Sequence, residues 1–494
     1  MLFNSYSFVF VFFPVLFIGY YLIAYFQKIP GKAAVMMKLW LILMSLWFFA
    51  SFGWNCTGLL LISCTFNFLI YLLMEKFHKI RKAVFIFGII GNLGLLLYFK
   101  YAGFFAGIID QFTGSRTMSA TVLLPLAISF YTFQQLSFLS EVYAGTITTC
   151  SLLDYAVYIT FFPKILQGPI VRFDEMKPQF DHMSANRLQA ESVYRGILLF
   201  TFGLSKKVLL ADTLGKAVDY GYSNLTGLTQ LDAVIVAVSY SFQLYFDFSG
   251  YCDMAQGVCC ILGIRLPQNF NLPYRARNIS DFWKRWHMTL TRFFTKYVYI
   301  PLGGNRKGAL RMYCNVFLIF LLSGFWHGAG WTFLIWGAMH GILSVFTKLL
   351  RQLKIPQLPG KIGHVLAVFL TFVYVTAAWI FFRATSVAQA CIMLQKIIGR
   401  PVLQITPALA KCFRMDEIWY VLKVTPVTDW KYSGVICMWL ILIVSAVFSF
   451  GKNKAEDLAL KSRISYRQAF LAGILMVWSI LTFSNVSTFL YLNF

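Results

Sequence analysis

The sequence predicts an all-α, polytopic membrane protein, and three observations predict it. Hydrophobic residues fill 59% of the 494 positions and charged residues only 13%, a balance that soluble domains do not reach. Apolar runs of roughly 17 to 25 residues, long enough to cross about 30 Å of hydrocarbon as helices, recur from one end of the chain to the other. Lysine and arginine outnumber aspartate and glutamate 43 to 19, a formal net charge of +24, and these cations gather in short stretches between the apolar runs. That arrangement fits positive-inside sorting of loops. A nucleic-acid surface would interleave the cations with aromatic platforms along a groove, so no nucleic-acid partner is expected. The runs allow about 11 to 13 transmembrane or re-entrant helices. A helical bundle in lipid can be one unit of any such size, and residues 1–494 are expected to form a single domain.

The first run, Ser7 to Phe26, precedes the first charged residue, Lys28. It lacks the basic leader and small-residue cleavage site of a secretory signal and is expected to remain as a span. Lys28, Lys32 and Lys38 then form one basic loop, and Lys76, Lys79, Arg81 and Lys82 the next. Two spans turning near Asn55 to Thr57 fit between them, which puts both loops in the cytoplasm and the N-terminus outside. Lys348, Arg351, Lys354 and Lys361 make a third cluster, and Lys452, Lys454, Lys461 and Arg463 a fourth. Between these lies a segment from 384 to 433, expected to be extracytoplasmic although it carries Lys396, Arg400, Lys411, Arg414, Lys423 and Lys431, with Arg383 just before it.

The longest interruption of the apolar pattern is residues 271–311, NLPYRARNISDFWKRWHMTLTRFFTKYVYIPLGGNRKGALR, where nine Lys or Arg residues face one acid, Asp281. Two readings are open on composition: an interfacial segment with tryptophans at the lipid headgroups and cations toward anionic lipid, or a cytoplasmic mouth that collects an anionic substrate. The ten cysteines are scattered, only Cys259 and Cys260 being adjacent, and this spacing offers neither a zinc site nor a disulfide framework. No metal is expected.

Four polar residues stand where the bilayer disfavours them. Asp247 and Asp253, in YSFQLYFDFSGYCDMAQG, would each cost at least about 2.5 kcal/mol as ionised groups at mid-membrane, so they face a protein interior, either paired with a cation or serving a path. Six residues turn a helix by about 600°, or 240° beyond a full turn, so the two do not act as a paired acid and base. His327 and His340 lie in SGFWHGAGWTFLIWGAMHG, residues 323–341. His327 comes sixteen residues after Arg311, a helical rise of about 24 Å, and a buried neutral imidazole can serve as a general base. Packing against a neighbouring helix is the alternative, which Gly328 and Gly330 weigh against because they loosen the helix beside it. On one continuous helix His340 would point about 220° away from His327, which disfavours a haem pair and makes His340 a packing residue.

Five blocks in order carry a resemblance: LPLAISFYTFQQLSFLSEVYAG from 124, FFPKILQGPIVR from 161, YFDFSGYCDMAQG from 245, NFNLPYRARNISDFWKRWHMTLTRFFTKYVYIPLGGNR from 269 and GFWHGAGWTFLIWGAMHG from 324. The chain resembles the membrane-bound O-acyltransferase superfamily, specifically the bacterial branch with the membrane subunit of alginate O-acetylation and the teichoic-acid D-alanyl transfer protein. The resemblance implies helices around a central tunnel and transfer of an acyl group from a cytoplasmic thioester, acetyl-CoA as donor substrate, to a hydroxyl supplied from the other side. It implies that His327 is the catalytic histidine and His287 its characteristic companion. Asp281, Trp283, Arg285, Trp286, Asn305, Trp326 and Trp331 become substrate or tunnel residues, and the basic segment becomes the mouth for the donor's phosphates.

The length and the runs after the catalytic block resemble the alginate type, so the expected acceptor is an extracytoplasmic polysaccharide, with D-alanyl transfer from a carrier-protein thioester as the alternative. The resemblance also implies no permanently bound cofactor, a multi-pass location in the bacterial inner membrane, and a separate extracytoplasmic esterase-like transferase, because the chain carries no G-x-S-x-G elbow of its own. A transporter or flippase without covalent chemistry is the rival of another class, although the paired halves such proteins often show are not apparent.

Overall fold

The computed structural model describes residues 1–27, 29–114, 124–185, 188–353, 360–422, 425, 432–452, 454–485 and 487–490. The described residues are helical, with no strand among them. Nine of their helices are long and apolar enough to cross a membrane: Phe8–Phe26, Gly31–Ala50, Trp54–Lys76, His78–Thr113, Gln230–Ile261, Ala309–His327, Trp331–Gln352, Gly360–Arg383 and Ser433–Phe450. Two shorter apolar helices, Val387–Ile398 and Tyr466–Leu481, accompany them. Of the basic clusters, Lys28, Lys354, Lys423 and Lys431 lie outside the described residues.

The chain divides into two compact units. The first comprises Met1–Phe200 with Met254–Pro267. Its core is aromatic: the Phe8, Phe12, Phe48 and Phe162 rings lie 5.2 to 6.4 Å from one another. Helices Trp54–Lys76 and His78–Thr113 are joined by a buried amide pair, Asn67 Nδ2 donating to Asn92 Oδ1 at 3.1 Å and Asn92 Nδ2 to Asn67 Oδ1 at 2.6 Å. Such pairs hold helices together where lipid removes the hydrophobic drive for association. Lys38 is not a loop cation. It lies inside helix Gly31–Ala50, 6% exposed, and its ammonium meets Asp154 at 2.5 Å and Asp181 at 2.6 Å. The basic pattern overcounted this loop because a lysine with two carboxylate partners can enter a helical core, and sequence spacing does not reveal partners more than a hundred residues away.

The second unit comprises Thr201–Asp253 with Gln268–Phe494. Helix Gln230–Ile261 belongs to this unit as far as Asp253, and 83% of its apolar window is buried against 17 to 50% for the other eight long helices. Its two carboxylates are neutralised by adjacent lysines on a short π-helical stretch, Lys206–Ala211. Lys206 meets Asp253 at 2.5 Å, and Lys207 meets both Asp247 and Asp212 at 2.8 Å. A π-turn widens the helix by one residue per turn and presents two consecutive ammonium groups to one neighbour. The tail joins this network, since Lys207 Nζ also donates to Ser487 Oγ and the Thr488 carbonyl, both at 3.1 Å, and Leu490 N–H donates to Asp247 Oδ2 at 3.0 Å.

Two segments that interrupt the long apolar helices contribute core rather than loop. In the segment from 384, Ala390, Met393, Leu409 and Phe413 are buried. In the basic segment 271–311, Phe282, Trp286, His287, Leu290 and Phe293 are buried while the lysines and arginines are half-buried or exposed. Lys207→Met would leave Asp247, whose side chain is 1% exposed, without its cation. The expected loss is about 3–5 kcal/mol of stability, measured by unfolding in detergent, and the double variant Lys207→Met/Asp247→Leu should recover most of it.

Candidate active site

The SGFWHGAGWTFLIWGAMHG stretch is not one helix. Helix Ala309–His327 ends at His327, Gly328 and Gly330 have extended backbones, and a new helix starts at Trp331. The chain turns back so tightly that a Cβ on Gly328 would lie 2.1 Å from the Phe333 ring. The two helices then touch through glycine. A Cβ on Gly324 would meet the Phe333 carbonyl oxygen at 2.3 Å, and one on Gly337 would meet the Phe320 carbonyl oxygen at 2.5 Å and the Gly324 Cα at 3.3 Å. The 220° separation expected of His327 and His340 on a continuous helix does not apply. Trp336 stands between them, its ring 5.1 Å from His327 and 4.8 Å from His340.

His287 reaches the same cluster from the basic segment. It caps helix Met288–Phe294 in the left-handed backbone region, φ 44°, which is uncommon for a residue with a side chain and marks a position held by its surroundings. Asn269 holds it. The Asn269 carbonyl accepts from Met288 N–H at 3.0 Å. Its side-chain Oδ1 accepts from Thr289 N–H at 3.2 Å and Thr289 Oγ1 at 2.9 Å, and lies 3.1 Å from His287 Nδ1. An amide oxygen only accepts, so Nδ1 carries the proton and Nε2 is the basic nitrogen. The imidazole is fully buried, with the Phe248 ring edge-on at 4.8 Å and the Trp326 ring at 6.4 Å. Trp326 lies 4.6 Å from His327, which also has the Phe382 ring at 5.0 Å. Both His287 and His327 thus lie within 6.4 Å of the one indole of Trp326.

His340 is also fully buried and accepts a hydrogen bond at Nδ1 from Trp283 Nε1–H, 3.3 Å. Its proton is then on Nε2, which has no hydrogen-bond partner among the described residues, and neither has Trp336 Nε1. Of the tryptophans singled out by sequence, the structure brings together Trp283, Trp286 and Trp326. Trp286 packs 5.1 Å from Trp379, which itself stacks on Trp336 at 5.6 Å.

Asp281 and Arg285 instead form a partly exposed clasp 2.9 Å long that fixes the local fold: Asp281 Oδ2 accepts from Arg277 N–H, and Arg285 donates to the Asn271 carbonyl. Asn305 is exposed in the turn that follows, and Trp331 is 59% exposed at the start of its helix. Asp247 and Asp253 belong to the lysine network, although the residue after Asp247, Phe248, is the one that packs on His287. Asn269 was missed. The available signal was the asparagine that opens the block containing His287, but nothing in linear spacing says that residue 269 reaches residue 287.

The model of the membrane-bound O-acyltransferase family matches residues 110–388, a range that includes all three histidines. The chain is 40% identical over 430 residues to the peptidoglycan O-acetyltransferase of Helicobacter pylori, covering 81% of this chain and 80% of that protein. It is 36% identical over 409 residues to the probable alginate O-acetylase AlgI of Pseudomonas aeruginosa, covering 81% and 75%. It is 32% identical over 269 residues to the teichoic acid D-alanyltransferase of Bacillus subtilis, covering 51% and 66%.

Burial pushes the His287 imidazole down from 6.5 to about 3. It is neutral in the folded protein, whereas the unfolded chain binds its proton near pH 6.5. The stability it contributes is complete above that pH and is lost progressively as pH falls toward 3. His287→Asn keeps a side chain that tolerates the left-handed backbone and removes the titration. Its melting temperature should therefore fall less steeply than that of the unaltered protein between pH 7 and pH 4; equal slopes would refute neutral burial.

Proposed function

The chain belongs to the membrane-bound O-acyltransferase family and is a multi-pass acyltransferase, and on that premise we propose that it moves an acetyl group from cytoplasmic acetyl-CoA to a hydroxyl for O-acetylation of an extracytoplasmic polysaccharide. The observation that carries this reading is that His287 and His327, more than thirty residues apart in the chain, both lie against Trp326 in one buried aromatic cluster. A hydroxyl is a poor nucleophile near neutrality until a base takes its proton. In this reading His327 takes that proton, the oxygen adds to the thioester carbonyl, and the C–O bond forms as the C–S bond breaks. The proton passes to the departing thiolate and the imidazole ends neutral.

The carbonyl oxygen becomes negative on the way. Trp336 Nε1–H, on the ring next to His327, and His340 Nε2–H, on the ring next to Trp336, are buried donors without partners among the described residues, and an unsatisfied buried donor costs about 1–3 kcal/mol. A substrate oxygen that accepts from them recovers this cost, most of all when it is charged. His287, its tautomer fixed by Asn269, offers Nε2 as a second acceptor that orients the incoming hydroxyl. Lys284, Arg292, Lys296, Arg306, Lys307 and Arg311 supply the positive field that draws the donor's phosphates to the segment bearing His287.

The acceptor is a glycan of the kind named for the relatives, with peptidoglycan standing beside alginate because a peptidoglycan O-acetyltransferase matches over most of both chains. The protein sits in the bacterial inner membrane and hands its acetyl group to a separate esterase-like transferase outside, since no nucleophile elbow is present in the chain. His327→Ala is expected to abolish polymer acetylation while membrane insertion stays normal. His287→Ala should lower it by about 100-fold or more, and His340→Ala less. Mass spectrometry of the envelope polymer reads the outcome and distinguishes acetyl from D-alanyl esters. Unchanged acetylation in His327→Ala would remove its role, and substrate movement without release of free CoA would favour a transporter.

A further inference from the structure

The first unit contains a polar cluster that the acyl-transfer site does not use. Helix Ile128–Tyr143 is buried on every face from Ile128 to Leu139, yet it carries Tyr131, Gln134 and Gln135, three and four residues apart and hence on one side. Gln135 is fully engaged: its Nε2 donates to Ser63 Oγ at 2.9 Å, and its Oε1 accepts from Tyr155 Oη at 2.8 Å. Tyr131 Oη and Gln134 Nε2 are buried with no hydrogen-bond partner among the described residues.

Lys164 faces this helix from the turn Phe162–Ile165 and is fully buried. Its ammonium donates to Gln134 Oε1 and lies 4.0 Å over the Tyr158 ring. One helical turn on, Gln167 is fully buried with both Oε1 and Nε2 unpartnered among the described residues.

The contrast with the other buried lysines decides what this cluster lacks. Lys38 meets Asp154 and Asp181, and Lys207 meets Asp212 and Asp247. Lys164 forms no ion pair with a carboxylate among the described residues. An ammonium withdrawn from water needs a counter-charge, and an ionisable group at such depth in a membrane protein marks a ligand or ion path more often than packing. The unpartnered groups that accompany it are mainly donors: the NH2 of Gln134, whose oxygen holds the ammonium, the phenol of Tyr131 one turn away on the same helix, and the NH2 of Gln167 three residues after Lys164.

We propose that Lys164, Gln134, Gln167 and Tyr131 form a second ligand site within the first unit, one that takes a small oxyanion, a carboxylate or a phosphate, held by the ammonium and the flanking N–H and O–H donors. This goes beyond acyl transfer and does not depend on it. The test is thermal unfolding of the delipidated full chain in neutral detergent with added acetate, inorganic phosphate or short-chain phosphatidylglycerol, ionic strength being held constant with chloride. Acetate and phosphate probe a free solute, and phosphatidylglycerol probes a lipid headgroup.

At least one probe is expected to raise the melting temperature above the chloride control in a saturable manner. Lys164→Met and Gln167→Leu should each weaken the apparent affinity at least tenfold. In the absence of probe, Lys164→Met should melt no lower than the unaltered chain, because it removes an uncompensated buried charge. The proposal is overturned when no probe stabilises more than chloride, or when both variants respond as the unaltered chain does. Should Lys164→Met fail to fold, Gln167→Leu, which leaves the charge in place, decides the matter alone.

Discussion

The close approach of two helix backbones at Gly324 and Gly337 sets the position of the rings around the three histidines. A methyl group at either position would run into a carbonyl oxygen of the opposite helix, so the pair can approach only with hydrogen in both places. Backbone contact of this kind is how helices gain packing energy in lipid, where burying apolar side chains gains little. Its second effect is geometric. With the backbones in contact, Trp336 is directed between His327 and His340, and its stacking on Trp379 fixes the plane of the indole. His287, Trp283 and Trp286 then arrive on short helices of the basic segment and complete the cluster.

The same medium that makes glycine contacts valuable makes charges expensive, and the chain answers by pairing. Lys38 and Lys207 each sit between two carboxylates, and Lys206 meets Asp253. The histidines follow a different rule: burial keeps His287 neutral, and neutral partners do the orienting, Asn269 for His287 and Trp283 for His340. Burial of this kind disfavours a lone imidazolium, so a proton taken up there calls for a compensating negative charge beside it.

Much of this was legible in the sequence, and the exceptions share a cause. The all-helical membrane architecture follows from run length and composition, and the family from five blocks in order. The cost of charge in lipid puts Asp247 and Asp253 in a protein interior but leaves a cation partner and a path equally open; the structure gives the partners, and sequence does not, because Lys206 and Lys207 sit in a stretch that local pattern leaves unremarkable. His340 was read as pointing away from His327 because one helix was assumed through Gly328 to Gly330. Glycine signals that a helix can break without stating that it reverses, and reversal is what brings the two rings to one indole. Asn269 and Lys38 escaped for a related reason: their roles lie in contacts that the linear order does not encode.

The order of the lysine network along the chain has a consequence for biogenesis. Asp247 and Asp253 enter the bilayer on the most deeply buried long helix, and lipid alone would resist them. Their partners precede them by 40 and 47 residues, so during N-to-C synthesis the cations are already made when the carboxylates emerge. The segment from Ser487 to Leu490 that fastens Lys207 and Asp247 follows them by more than two hundred residues. Insertion can therefore proceed on a provisional ion pair, which that later segment locks once it has been made.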